Sequence, residues 1–271
     1  MSSRCLDALL LAAVLAWPGL ATATTPALRV CSDPDNLPLS HADGSGFEDR
    51  IAALLARALD RPLQRHEQTL RRGFVRKTIG AGHCDVFIGV PAGLQRLSTT
   101  RPYYRSGYVV VTRADDAQPL SGFDDPRLPT LRIGVQLPGD DVAATPPGHA
   151  LAQRGAVANV VGAAPYGALP AAQRLLQALQ RRELDAALLW GPQAGHYVAA
   201  AAPALQWHFI APPPELAAVL PFEFDIAVGV RHGDLALRDA LQQALDTQRD
   251  AIDAILREHH VPRRDGTAVS P

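Results

Sequence analysis

Cysteine is scarce in this chain, with three in 271 residues, and no two of them form Cys-x-x-Cys. That excludes a zinc ribbon and a thioredoxin-type redox centre. Charge of one sign is lacking as well: 26 Lys and Arg face 27 Asp and Glu, for a net charge of −1. There is no basic excess of the kind that holds a nucleic acid backbone. Long apolar runs are absent after the first twenty residues, so nothing later is long enough for a membrane span, which needs about 20 apolar residues. Strong catalytic motifs are also missing. There is no Walker loop, no nucleophile elbow and no His-x-x-x-His pair. Gly44-Ser45-Gly46 lacks the third glycine of a dinucleotide fingerprint and reads as a turn into the helix near Phe47. No low-complexity repeat occurs.

What is present starts with an export signature. Arg4 precedes Leu6 to Leu20, an apolar run interrupted by Trp17-Pro18-Gly19, and Ala21-Thr22-Ala23 fits a small-x-small cleavage site. This is the pattern of a secretory signal peptide over residues 1–23. The competing reading, a membrane anchor, fails on length. No cysteine stands at the cleavage site, so no lipid anchor is indicated. Cleavage after Ala23 leaves 248 of the 271 residues, enough for one large domain or two ordinary ones. Cys5 leaves with the signal, and Cys31 and Cys84 remain. Export favours a disulfide between them; the alternative is two buried thiols at neighbouring strand ends, and geometry decides.

Short apolar runs then alternate with helical patterns. Leu28 to Cys31 reads as a strand, Phe47 to Leu59 as a helix, Phe74 to Ile79 as a second helix and Asp85 to Val90 as a buried strand. Tyr108 to Val111 is another strand, and Asp115 to Thr130 is loop-like. The order repeats from Leu131 to Val135 (strand), through a short helix over His149 to Arg154, a strand at Asn159 to Gly162, a helix at Ala171 to Gln180, and strands at Ala186 to Trp190 and Trp207 to Ile210. Asp225 to Val230 is a last strand, followed from Leu237 by one long amphipathic helix. The expected fold is α/β with two lobes, mixed sheets, helices on both faces and a cleft between. Residues 27–113 form the first part of lobe 1, 114–218 form lobe 2, 219–262 return to lobe 1, and 263–271 form a disordered tail.

Two basic-aromatic clusters stand out: Arg71-Arg72-Gly73-Phe74-Val75-Arg76-Lys77 and Thr99 to Tyr108. Arginine offers a planar fork for carboxylates, and tyrosine adds a flat amphipathic surface. Either they line a cleft or interface, or the first is a solvated basic face and the second covers core. Asp33-Pro34-Asp35-Asn36 follows the first strand, at the carboxyl end where such sheets bind ligands; Asp33 and Asn36 equally fit a turn-closing role. His259-His260 ends the last helix and complements its dipole rather than holding metal.

The strings LRVCSDPDNLPLS, GFEDRIAALLARAL, RRGFVRKTIGAGHCDVFIGVPAG and TTRPYYRSGYVVVT resemble the periplasmic binding protein-like family associated with quinoprotein methanol dehydrogenases, the MoxJ/XoxJ type. LRIGVQLPGDD and ELDAALLWGPQAGHYV extend the resemblance, which covers Leu28 to Arg263. It implies a type II periplasmic binding fold and a non-enzymatic accessory role toward a PQQ-dependent methanol or alcohol dehydrogenase. In that case the quinone, and the calcium or lanthanide, belong to the partner and not to this chain. On that reading the ligand- or partner-binding cleft is lined by Asp33, Asn36, Arg71, Arg72, Phe74, Pro91, Tyr103, Tyr104, Arg105, Trp190 and Gln193. Tyr103 and Tyr104 are expected at the cleft mouth.

This sequence departs from the amino-acid receptors of the same fold. Trp190-Gly191-Pro192-Gln193 follows the lobe 2 strand where a carboxylate would match a ligand ammonium, and Arg96 stands closer to Pro102 than the usual carboxylate-binding arginine. A zwitterion with one charge buried and unmatched costs about 2–5 kcal/mol. The rival expectation is therefore an ABC-transporter receptor for a small ligand other than an amino acid. A minor one is an enzyme such as a dehydratase, for which Asp33 and Glu48 are the early acid–base candidates.

Overall fold

A computed structural model describes residues 25–137 and 145–264. The expected signal peptide lies outside these residues, as do Pro138 to Asp141 of the LRIGVQLPGDD string and the end of the expected tail. Lobe 1 opens with β1 (Leu28–Ser32), a small hairpin of β2 (Asp35–Asn36) and β3 (Ser40–His41), and α1 (Phe47–Ala58). It continues with β4 (Leu63–Glu67), α2 (Phe74–Lys77), β5 (Val86–Pro91) and β6 (Leu97–Thr99). Then β7 (Tyr104–Arg113) crosses into lobe 2, made of β8 (Ile133–Gln136), α3 (Pro146–Gln153), β9 (Val160–Ala163), α4 (Ala171–Gln180), β10 (Ala186–Trp190), α5 (Gly191–Ala200) and β11 (Leu205–Phe209). The chain comes back through β12 (Glu223–Arg231), α6 (Leu235–Thr247) and α7 (Arg249–Glu258).

The crossing strand explains the architecture. Tyr104 to Gly107 of β7 pair antiparallel with β12, whereas Tyr108 to Val111 pair with β10 and Val109 to Arg113 with β11. One strand therefore serves two sheets, ordered β4-β1-β5-β12-β7 in lobe 1 and β7-β10-β8-β9 in lobe 2. Within each lobe the first-built strands are parallel: β1 with β4 and β5, and β8 with β9 and β10. The crossing is tight. A side chain at Gly107 would meet the Phe222 carbonyl at 2.9 Å, and one at Gly191 the Gly107 carbonyl at 2.6 Å.

Each lobe packs helices on its sheet by simple periodicity. Phe47, Ile51 and Leu55 recur every four residues on α1, are fully buried, and meet Val30, Val86 and Ile88. Burial of each such side chain is worth about 1.5–3 kcal/mol. In lobe 2 the valines of β7 alternate. Val109 and Val111 face Leu175 and Leu179 of α4, and Val110 faces Phe123 and Leu151 on the other side.

Several elements differ from expectation for local reasons. β4 reads as polar (Leu-Gln-Arg-His-Glu) because it is an edge strand with alternating exposure. α5 was hidden by Gly191-Pro192, which sits in its first turn, where proline is tolerated. α2 is four residues, not six. The expected long final helix is two, breaking at Gln248 so that Leu241 and Leu245 on one and Ile252 and Leu256 on the other follow the same core. The start of the expected tail is corrected too. Val261 and Arg263 are buried, Arg263 pairs with Asp253 at 2.8 Å, and the Pro262 carbonyl accepts from Ser106 Oγ at 2.6 Å.

Candidate functional site

The segments that follow β1 and β4 meet lobe 2 across the cleft, and side chains of the chain itself bridge the gap. Asp33, 3% exposed, accepts from the amide of Asp35 at 2.9 Å and from that of Leu70 at 2.7 Å. Its Oδ2 also lies 2.8 Å from the Tyr166 hydroxyl, on the loop after β9. That hydroxyl is equally 2.8 Å from the Leu70 carbonyl. A phenol has one proton, so two acceptors share one donor. Burial first, then the hydrogen bond to Asp33 and its charge, holds the Tyr166 phenol above its ordinary range. The Arg71 guanidinium stands 5.7 Å over the Tyr166 ring, within cation–π reach.

Two further bridges repeat the pattern from α5. Gln193 Nε2 donates to Asn36 Oδ1 at 3.4 Å, and the Tyr197 hydroxyl donates to the Leu37 carbonyl at 3.3 Å. Burial pushes the Tyr197 phenol up to about 12, with Asp35 contributing. Proline in the first turn of α5 fixes the helix start, which places Gln193 and Tyr197 one turn apart on the face toward the β2–β3 hairpin.

Beneath this clasp lobe 1 encloses a cavity of about 60 Å³ lined by Asp33, Asn36, Glu48, Asp49, Phe74 and Gly89, among others. A pocket for a drug-sized ligand is roughly 300–1,000 Å³. Asp49 is well served: Ser32 Oγ donates at 3.0 Å, the His41 amide at 2.7 Å, and Arg65 lies 3.6 Å away. Burial still raises its carboxyl somewhat. Glu48 is different. It is 7% exposed, its carboxyl lies where a side chain at Gly89 would stand, and burial followed by the Asp49 charge pushes it well above the ordinary carboxylate range.

The residues expected at the cleft divide. Asp33, Asn36 and Gln193 come together in the clasp with Arg71 at its margin. Phe74 lies between the cavity and a neighbouring groove that Arg72 also lines. Pro91 is exposed at the end of β5. Trp190 packs edge-on against Tyr108 and Phe224, at 5.5 and 5.8 Å, near the crossing. The expected position of the tyrosine pair at the cleft mouth is corrected. Tyr104 is 4% exposed in the lobe 1 core, and Tyr103 packs beside it with its hydroxyl buried and unbonded. β7 begins at Tyr104, so alternation turns that ring inward. The arginines around them are neutralised locally: Arg101 pairs with Asp246 at 2.7 Å, and Arg105 lies 3.2 Å from Glu223 and 3.5 Å from Asp225. Cys31 and Cys84 form the expected disulfide, with Cα atoms 5.5 Å apart. Tyr166 and Tyr197 were missed. The signal for Tyr166 was Pro165-Tyr166-Gly167, a turn placed just after a parallel strand.

With this geometry in view, the comparisons with known proteins agree with one another. The profile described as bacterial extracellular solute-binding protein matches residues 80–260. Protein MoxJ of Paracoccus denitrificans is 30% identical over 263 residues, covering 93% of this chain and 94% of MoxJ. Protein MoxJ of Methylorubrum extorquens is 32% identical over 252 residues, covering 87% and 81%. The crystal structure of periplasmic binding protein XoxJ from Methylobacterium extorquens AM1 superposes with a TM-score of 0.70 at 33% identity, covering 87% of this chain and 98% of XoxJ.

Proposed function

The chain belongs to the bacterial extracellular solute-binding proteins, in the group that includes MoxJ and XoxJ, and from that premise we propose that it is a periplasmic accessory protein of a PQQ-dependent methanol or alcohol dehydrogenase. The observation that carries this is the likeness to the MoxJ proteins, sustained at 30–32% identity along nearly the whole chain. The site is consistent with it. The lobes hold each other through Tyr166, Gln193 and Tyr197. The position that matches a ligand ammonium in amino-acid receptors carries Trp190 to Gln193 instead. In this reading the chain binds its partner and performs no chemistry, and the quinone and its metal reside in the dehydrogenase.

The test is size-exclusion chromatography with light scattering, at low salt. The mature chain is mixed with the apo form of the PQQ dehydrogenase from the same genome. The reading expects a shared peak whose mass is the sum of the two proteins. Separate peaks from two folded proteins, together with a small solute that raises the melting temperature of this chain, would favour a transporter receptor instead.

A further inference from the structure

Beside the clasp, in lobe 1, lies a groove of about 580 Å³. Its floor is apolar, made by Phe74, Phe87 and Leu94, the open side of the small core that also buries the Cys31–Cys84 disulfide. Its rim carries Arg72, Arg76 and Arg96, all exposed, and none of the lining residues is acidic. Lys77 follows Arg76, also exposed. Among the described residues these four cations have no ion pair. Many of the other arginines are matched, as in Arg132 with Asp185 at 2.7 Å, Arg154 with Glu215 at 2.8 Å and Arg181 with Glu183 at 2.8 Å. On a chain of net charge −1, this is a local positive field left uncompensated around an apolar recess.

We propose that this groove is a docking site for an acidic segment of a partner protein, with carboxylates on Arg72, Arg76 and Arg96 and one bulky apolar side chain on the floor between Phe74, Phe87 and Leu94. Charge complementarity selects the partner's sign, and arginines around an aromatic recess are the composition of interface anchors. The apolar groups are sunk below the cationic rim, with Phe74 5% exposed. A recess receives a side chain; a membrane surface instead requires apolar groups that protrude. The disulfide pins the floor, so the site is formed before the partner arrives. Leu70 belongs both to the groove and to the clasp. The identity of the partner as the dehydrogenase rests on the function proposed above; the chemistry of the groove does not.

The test compares wild type, Arg72→Glu/Arg76→Glu/Arg96→Glu, and a control of equal charge change, Arg181→Glu/Arg238→Glu/Arg249→Glu. All six positions are on the surface, and circular dichroism checks that the variants fold. Two probes are titrated at low salt: the apo dehydrogenase, and the acetylated peptide Asp-Glu-Leu-Phe-Asp-Glu beside a counterpart with lysine for each acid. The inference expects the acidic peptide to bind wild type and the control, and the groove variant about tenfold or more weakly; three reversed exposed pairs account for that order. Leu94→Ala should weaken it too. Dehydrogenase binding that is undiminished in the groove variant overturns the inference while leaving the accessory role standing. Peptide binding without dehydrogenase binding keeps the groove and removes the partner assignment. No preference for the acidic peptide, or binding only to phosphatidylglycerol vesicles, overturns it.

Discussion

At neutral pH the Glu48 carboxyl sits where ionisation is costly, buried next to Asp49 and against Gly89. Its folded pKa is raised, so above 4.5 the native chain holds its proton more firmly than the unfolded chain does. Its contribution to stability is full below the ordinary value of 4.5 and is lost as pH rises through the folded value. Glu48→Gln keeps the neutral shape. It should leave stability unchanged near pH 4 and raise it at pH 8, by about 1.4 kcal/mol for each pH unit between 4.5 and the folded value. Urea unfolding at the two pH values measures this, and equal curves at pH 8 would contradict it. His196 and His259 act in the opposite direction. Their rings stack 6.0 Å apart between α5 and the end of α7, His259 Nε2 is 3.2 Å from Arg50, and His260 and Glu258 stand close by. Burial comes first in lowering both, so the unfolded chain binds more protons below pH 6.5. Stability from this pair is present above 6.5 and lost as pH falls. His196→Gln should flatten that limb of the pH–stability curve, and an unchanged limb would count against it.

Among the elements, the regular ones were legible and those shaped by tertiary context were not. The four-residue spacing of Phe47, Ile51 and Leu55 and the valine run of β7 announce a helix and a strand because each buries a face. β4 was invisible because an edge strand needs no apolar run, and α5 because its opening Gly191-Pro192 resembles a break. The site was less legible than the fold. Asp33 was found from its position after the first strand, and Gln193 through the family resemblance. Tyr166 joins Asp33 across 133 residues, a pairing that no local pattern encodes. The two arginine clusters look alike in sequence, yet ion pairing separates them: Arg101 and Arg105 meet acids from α6 and β12, while Arg72 and Arg76 meet none among the described residues. At this scale the disulfide is the testable staple. It closes a loop of 53 residues, so Cys31→Ser/Cys84→Ser should cost about 2–4 kcal/mol in thermal or urea unfolding. A loss much below 1 kcal/mol would mean that the α2–β5 region is held by packing alone.

For the molecule as a whole, two lobes share β7 and hold each other by Tyr166, Gln193 and Tyr197. The clasp consists of a few hydrogen bonds, each worth about 0.5–1.5 kcal/mol net, or more where the acceptor is charged as at Asp33. Tyr166→Phe with Gln193→Ala should therefore shift the balance toward a more open arrangement, as hinged lobes permit. Small-angle scattering would register this as a larger radius of gyration, and an unchanged radius would assign lobe closure to the hinge strands instead. The clasp and the cationic groove meet at Leu70, so a partner seated in the groove lies against one end of the bridge between lobes. The most direct measurement is hydrogen exchange on the mature chain, alone and with the apo dehydrogenase at low salt. The account predicts protection gained over Leu70 to Lys77 and Leu94 to Arg96. Exchange that is unchanged throughout the chain, with the dehydrogenase in excess, would contradict it.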